Sequence, residues 1–159
     1  MSALIQGAQI RTLRKGIVVT KAAQTLPQTA TGTLFTVAGG AVLVTGLIGV
    51  VTTAFPASDP VLSLGTAPTL GTAQTSGIAA TTVMTSAEAG TLVTVGSSSG
   101  LATGLVVMAT AAKAGAAVFL APEFVVSAGT ITWTTGASKT GAMKWYLTYI
   151  PLDDQGSVS

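Results

Sequence analysis

Residues 33–53 read TLFTVAGGAVLVTGLIGVVTT, and this stretch decides the fold class. Two runs rich in β-branched residues flank the pair Gly39-Gly40, and glycine readily adopts the positive φ angles that tight turns need. The pattern predicts two strands, Thr33–Val37 and a second one from Val42 to about Thr53. We interpret them as a hairpin around the glycine turn.

The uncharged stretch from Val37 to Phe55 is also long enough for a transmembrane helix. Four glycines and three threonines interrupt it, and no basic cluster lies directly beside either end. Strands are therefore favoured over a membrane helix. The first ten residues also lack the early basic region and apolar core of a secretory signal peptide, so we predict neither a membrane span nor export by that route.

The second predicted strand is apolar on both faces. Val42 and Val44 occupy even positions, whereas Leu43 and Leu47 occupy odd ones. A strand that is apolar on both faces is covered on both, by the domain core on one side and by another surface on the other. We therefore predict that Leu43 and Leu47 contribute to a contact with a second subunit or another surface.

The clearest strand signals lie in the last third of the chain. Apolar residues alternate with threonines over Thr130–Thr134, and a second alternating run covers Ala142–Ile150. These segments are predicted to form a hairpin with Trp133 and Trp145 as core anchors. Tyr146 lies on the opposite face of its strand and is the candidate for a contact surface.

Shorter strands are predicted at 17–20, 69–75, 78–84, 91–95, 105–108 and 124–126, with an edge strand at 61–64 and weak helix propensity at 109–117. Short strands at this spacing predict an all-β fold, an antiparallel β-sandwich of jelly-roll-like type. We expect residues 16–159 to form one such domain, preceded by an extended N-terminal arm at residues 1–15.

The composition favours a structural role over an enzymatic one. Only 8% of the 159 residues are charged, compared with about a quarter in ordinary soluble domains. The chain contains 27 threonines and 19 glycines but no His, Cys or Asn, which excludes disulfides, thiolate nucleophiles and the usual general base near neutral pH. A chain with so few charges is expected to bury apolar surface between subunits, as an obligate homo-oligomer does.

The five acidic residues offer little catalytic chemistry. They lie in predicted loops without a recognisable local motif: Asp59, Glu88, Glu123, Asp153 and Asp154. Two adjacent acids point in different directions, so Asp153-Asp154 is interpreted as a solvated strand end or an ion pair between subunits. The sequence predicts no enzyme, no cofactor and no metal site.

Four of the seven cations lie in the first 21 residues. Arg11, Arg14 and Lys15 either form a solvated arm or place the arm on an acidic partner surface. The sequence pI of about 9.2 rests on a difference of two charges, so it predicts no nucleic-acid binding.

Two parts of the chain resemble small proteins encoded among the structural genes of tailed bacteriophages. One is GTLFTVAGGAVLVTGLIG at 32–49, and the other joins GTITW at 129–133 to TGAMKWYLTYIPLDD at 140–154. The similar features of the second part are a Gly-rich turn, a Lys-Trp pair and a Tyr–hydrophobic–Pro ending. Residues 55–125 carry no such resemblance.

The resemblance implies a virion component, a capsid decoration or cement protein on the outside of the assembled head. Its partner would be the major capsid protein, its oligomer a trimer, and its basic arm would lie on the coat protein. The alternative is a receptor- or carbohydrate-binding module of a tail or head fibre, with Tyr146 and the Gly96–Gly100 loop near the contact. The first predicts stoichiometric binding to capsids, and the second predicts binding to host envelope material.

Overall fold

The structure is a computed structural model that describes Thr12 and residues 15–28, 30–58, 60–95, 105–107, 123–136 and 140–159. It confirms the all-β prediction, because two antiparallel sheets pack together as a β-sandwich. The jelly-roll assignment stays a prediction. The weak helix expected at 109–117 lies outside the described residues.

The described residues contain eleven strands: β1 (Ile17–Thr25), β2 (Thr31–Ala38), β3 (Val42–Thr53), β4 (Val61–Pro68), β5 (Gln74–Val83), β6 (Leu92–Val95), β7 (Leu105–Val107), β8 (Phe124–Val126), β9 (Gly129–Thr135), β10 (Ala142–Pro151) and β11 (Ser157–Val158). Sheet A has the order β1-β10-β3-β6-β7, with β8 paired to the first part of β3. Sheet B has the order β11-β2-β9-β4-β5.

Most consecutive strands lie in different sheets, and this corrects both predicted hairpins. β2 belongs to sheet B and β3 to sheet A, so Gly39-Gly40 forms a corner between sheets rather than a hairpin turn. Similarly, β9 pairs with β2 and β4, whereas β10 pairs with β1 and β3. Alternating patterns identify a strand and its buried face, but they do not identify its neighbour.

The two tryptophans predicted as core anchors meet across the sandwich. Trp133 of β9 and Trp145 of β10 are buried, with ring centroids 6.2 Å apart in a T-shaped arrangement. Other fully buried large side chains from both sheets belong to the same core: Leu34, Phe35, Leu47, Leu62, Leu64, Ile78, Met84, Ile131, Met143 and Leu147. The core therefore lies between the two sheets.

A bulge interrupts the pairing of β3 with β10. Thr148 is opposite Gly46, whereas the next residue, Tyr149, is opposite Val44. Thr45 is therefore the extra residue of β3. One inserted residue moves every later side chain of a strand to the other face of the sheet.

The bulge separates the two predicted contact residues of β3. Leu43, before the bulge, is half-buried on the outer face of sheet A. Leu47, after the bulge, is fully buried in the core, so its predicted contact role is wrong. Strict alternation along β3 predicts that Leu43 and Leu47 share one face of the sheet. The bulge at Thr45 breaks this alternation and is not indicated by the sequence pattern.

Strand β4 lies inside sheet B, between β9 and β5, so the predicted edge strand at 61–64 is wrong in both length and place. Gly65 permits the close approach of β5, since an added Cβ would overlap the backbone carbonyl of Gln74. The Ser63 hydroxyl also donates to the Thr75 carbonyl at 3.0 Å. The strand predicted at 69–75 is mostly the turn that precedes β5.

Two described residues of the predicted arm, Thr12 and Lys15, are helical rather than extended. The Gly16 amide donates to the Thr12 carbonyl at 2.8 Å. Gly16 then takes a φ of 88°, a typical way to end a helix. The Thr45 hydroxyl donates to the Lys15 carbonyl at 3.0 Å, which places this turn against the outer face of sheet A.

The C-terminal residues hold the Gly39-Gly40 corner in place. Asp153 Oδ2 accepts a hydrogen bond from the Ala41 amide at 2.7 Å, and the Leu152 amide donates to the Ala41 carbonyl at 3.0 Å. β11 then pairs with the end of β2. The two segments that carry the phage resemblance therefore contact each other, and Asp153 stabilises a turn rather than standing only as a solvated strand end.

Replacing Asp153 with alanine is expected to lower the free energy of unfolding by about 1 kcal/mol, because the Ala41 amide loses its acceptor. Chemical denaturation measures this change. Asp153→Asn keeps an acceptor oxygen and should lose less, while Asp154→Ala, at the exposed neighbouring position, is the matched control. Equal losses for Asp153→Ala and Asp154→Ala would contradict the assigned role.

Candidate partner-binding surface

Several turns of the chain meet at one end of the sandwich, here called the lower end. Val37 and Pro68 both pair with Gly129, which follows β8 after a short turn. In sheet A, Val42 lies between Pro151 and Val126. The sheet-crossing corner, the β4–β5 turn and the end of β10 therefore lie together.

Exposed apolar side chains gather at this lower end. Seven large hydrophobic residues among those described are exposed, and six of them lie here: Ile17, Val18, Leu70, Val125, Ile150 and Leu152. We call these six residues the apolar end patch. Leu70, in the β4–β5 turn, is the most exposed at 91%. The seventh, Val83, is opposite Val61 at the other end of the sandwich.

Two patch residues form a row with Leu43 across the outer face of sheet A. Val125, Leu43 and Ile150 are directly opposite one another on three neighbouring strands. Val18 lies on the adjoining strand β1, opposite Thr148. Exposed apolar surface gathered in one place marks an interaction site more often than scattered residues do.

Among the described residues, two charged groups lie at the rim of the patch. Lys15 is exposed and precedes Gly16, where an added Cβ would lie 3.3 Å from Ile150 Cγ1. Asp154 is exposed and follows Leu152 by two residues. Lys15 is therefore a neighbour of the patch, and its contact role stays a prediction.

Arg11 and Arg14, the other predicted contact residues of the arm, lie outside the described residues. The same holds for Asp59 and for the Gly96–Gly100 loop.

Tyr146 lies on the same outer face, but away from the patch. It is half-buried between Thr20 and Ile48 on the neighbouring strands, four residues along β10 from Ile150, or about 13 Å. The Lys144 Nζ lies 4.9 Å from the centre of its ring, a cation–π geometry. The chain's own lysine thus covers part of the ring that a partner would contact.

Leu43 and Lys15 were predicted as contact residues, whereas Leu70, Val125 and Leu152 were not. Leu70 stands between Pro68 and Gly71, which are typical turn residues. A large apolar residue within a predicted turn could have indicated an exposed apolar side chain. Val125 lies in a short predicted strand whose faces the sequence does not distinguish. Only the pairing of β8 with β3 shows that its side chain faces outward.

The outer face of sheet B is polar but uncharged. No strand of sheet B contains a charged residue. Its outer face carries threonines, and the hydroxyls of Thr31 and Thr134 lie 2.7 Å apart. No three acidic residues in the described ranges lie close enough together to hold a metal ion.

Comparison with known proteins gives no match to a family model, to a curated protein or to a solved structure. In the part of the chain that the structure describes, no helix has the length and apolar character needed to cross a membrane.

Proposed function

We propose that this protein is a bacteriophage capsid decoration, or cement, protein that binds the assembled head from outside. The major capsid protein is its partner, and the apolar end patch is the surface that meets the shell. The observation that carries the proposal is the collection of six exposed large hydrophobic side chains at one end of the sandwich. The sequence resemblance supplies the class of partner.

The energetics fit a cement role. Fully burying a Val, Leu or Ile side chain contributes about 1.5–3 kcal/mol, so a few patch residues suffice for a specific contact of moderate strength. A shell presents many equivalent sites, and an oligomer can occupy several of them at once. Moderate contacts per copy then add up to substantial stabilisation of the whole head.

The fibre alternative has less support. A sugar-binding platform needs exposed aromatic faces, but Trp133 and Trp145 are buried and Lys144 lies over Tyr146. Binding of the purified protein to host envelope material, without binding to capsids, would favour this alternative.

Replacing a patch residue with serine is expected to weaken capsid binding about tenfold, because each change removes at least ~1.4 kcal/mol of apolar contact. Leu70→Ser and Val125→Ser are the informative variants, since both side chains are exposed and their loss leaves the core intact. Co-sedimentation with undecorated capsids gives the affinity, and the capsid melting temperature reports stabilisation.

Val83→Ser is the matched control, because Val83 is 55% exposed at the opposite end of the sandwich. It should bind capsids like the unmodified protein. Weakening by Val83→Ser equal to that by Val125→Ser would show that the patch is not the contact. If the unmodified protein stays in the supernatant, the cement function itself is wrong.

A further inference from the structure

Two adjoining clefts lie at the end of the sandwich opposite the apolar end patch, here called the upper end. The first has a volume of about 590 Å³ and is lined by residues 23–27, Gly32 and Trp133. The second has a volume of about 510 Å³ and is lined by Thr25, Gln28, Thr53 and residues 140–142. Both volumes are typical of small-molecule sites. Thr25 lines both clefts, so one ligand can occupy them together.

The edge of the Trp133 indole reaches the first cleft. Trp133 is only 2% exposed and belongs to the core, yet it lines this cleft. An added Cβ at Gly32 would lie 2.8 Å from Trp133 Nε1 and 3.2 Å from Pro27 Cγ. Because Gly32 has no side chain, the space in front of the indole N–H stays open at hydrogen-bonding distance. No described residue accepts a hydrogen bond from this N–H, so a bound molecule can do so.

The segment between the two clefts is held by hydrogen bonds to both sheets. The Leu26 amide donates to the carbonyl of Gly141, which precedes β10 of sheet A, at 3.1 Å. The hydroxyl of Thr135, the last residue of β9 in sheet B, donates to the Pro27 carbonyl. The walls of the clefts are therefore fixed by the fold, and a ligand loses little free energy in ordering them.

The lining of the clefts selects a neutral ligand that carries hydroxyl groups. None of the lining residues is charged, so a charged group would lose hydration without gaining a partner charge. The first cleft has apolar walls at Leu26 and Pro27 beside the indole N–H donor. The second is lined by Thr53 and Thr140, whose hydroxyls can both donate and accept. A sugar ring has the matching parts, with apolar C–H groups and neutral hydroxyls.

We propose that the two clefts together bind a neutral saccharide. One sugar oxygen accepts a hydrogen bond from Trp133 Nε1, and the saccharide continues past Thr25 toward Thr53 and Thr140. The site uses the edge of one indole, so it differs from the exposed aromatic platform of the fibre alternative. It lies at the opposite end from the apolar end patch, so it does not depend on the capsid contact and both can be occupied together.

The indole N–H signals in nuclear magnetic resonance report this binding directly, because the chain has only two tryptophans. Glucose, galactose and mannose are titrated separately into nitrogen-15-labelled protein, and Trp145→Phe assigns the two signals. We expect at least one sugar to shift the Trp133 signal saturably and to leave the Trp145 signal in place. The matching uronate, which has a carboxylate in place of the hydroxymethyl group, should cause a much smaller shift.

Two variants test the assigned contacts. Gly32→Ala fills the space in front of Trp133 Nε1 and is expected to abolish the shift, but its methyl group also crowds the Pro27 ring. Thr25→Val therefore serves as a second variant, since it removes the hydroxyl shared by both clefts with little change in shape. It should weaken binding about threefold to tenfold, the usual loss for one hydrogen bond. Thr20→Val, at an exposed position on the same strand, is the matched control and should bind like the unmodified protein.

The proposal is wrong if none of the three sugars shifts the Trp133 signal saturably. Equal shifts by a sugar and its uronate would also overturn it, because the clefts would then not select a neutral ligand. Binding that survives both Gly32→Ala and Thr25→Val unchanged would place the sugar elsewhere. Each of these results leaves the capsid test unaffected, since that test depends on the other end of the sandwich.

Discussion

Trp145→Ala is expected to lower the free energy of unfolding by about 3–5 kcal/mol, the usual loss for removing a fully buried tryptophan. The change opens a cavity between the sheets and removes the T-shaped contact with Trp133. Chemical denaturation followed by fluorescence of the remaining tryptophan measures the loss. Such a loss is a large part of the stability of a domain of this size.

Tyr146→Ala provides the matched control because it removes the adjacent aromatic ring from the outer face of the same strand. We expect a much smaller loss, since Tyr146 is only half-buried. Trp145→Phe should also cost less than Trp145→Ala, because the Trp145 indole N–H has no acceptor among the described residues and no hydrogen bond is lost. Similar losses for Trp145→Ala and Tyr146→Ala would contradict the assignment of the core face of β10.

Gly65→Ala is expected to cost about 3 kcal/mol or more, the upper range for overpacking. An added methyl group would overlap the Gln74 carbonyl, which is backbone and cannot move aside like a flexible side chain. β4 and β5 would have to separate, which would also break the Ser63–Thr75 hydrogen bond. The melting temperature and denaturation midpoint report the loss.

The control for this prediction is Gly77→Ala, on β5 itself. An added Cβ there would meet only the Gln74 side chain, 3.1 Å away, and neither glycine has a positive φ. Alanine restricts the unfolded chain more than glycine does, so Gly77→Ala should be neutral or slightly stabilising. Destabilisation by Gly77→Ala equal to that by Gly65→Ala would mean that close packing at Gly65 is not the cause.

The distribution of apolar and charged residues connects the fold to the proposed function. The inner faces of both sheets form one core around Trp133 and Trp145, and the six residues of the apolar end patch lie outside it. The exposed apolar residues at the lower end are therefore not needed to form the core. Sheet B, which has no charged residue, relies on threonine hydroxyls to remain compatible with water.

Several strands were predictable because their signal is local. β-branched residues and glycine turns indicate β2 and β3, and the alternation around Trp145 indicates β10 with its buried face. β4 was predicted only as a short edge strand because Pro60 and Pro68 resemble loop signals, although proline stands only before this strand and at its last position. Its place inside the sheet depends on the close approach of β5 at Gly65. The residues around Gly65 in the sequence do not indicate this approach.

The candidate surface was only partly predictable. Leu43 and Lys15 were identified from alternation and charge, whereas Leu47 was misplaced by the bulge at Thr45. The residues of the apolar end patch are single apolar side chains from separate turns and strands. Nothing in their own neighbourhoods along the chain indicates that they meet.

Local sequence therefore establishes the all-β class, most strand positions and the scarcity of ionisable groups, since these follow from residue type and spacing. Strand partners, the crossings between sheets and the gathering of the apolar end patch were decided only when the chain packed. They depend on contacts between residues far apart in sequence, such as Asp153 with Ala41, and these contacts are selected by the burial of both inner faces together.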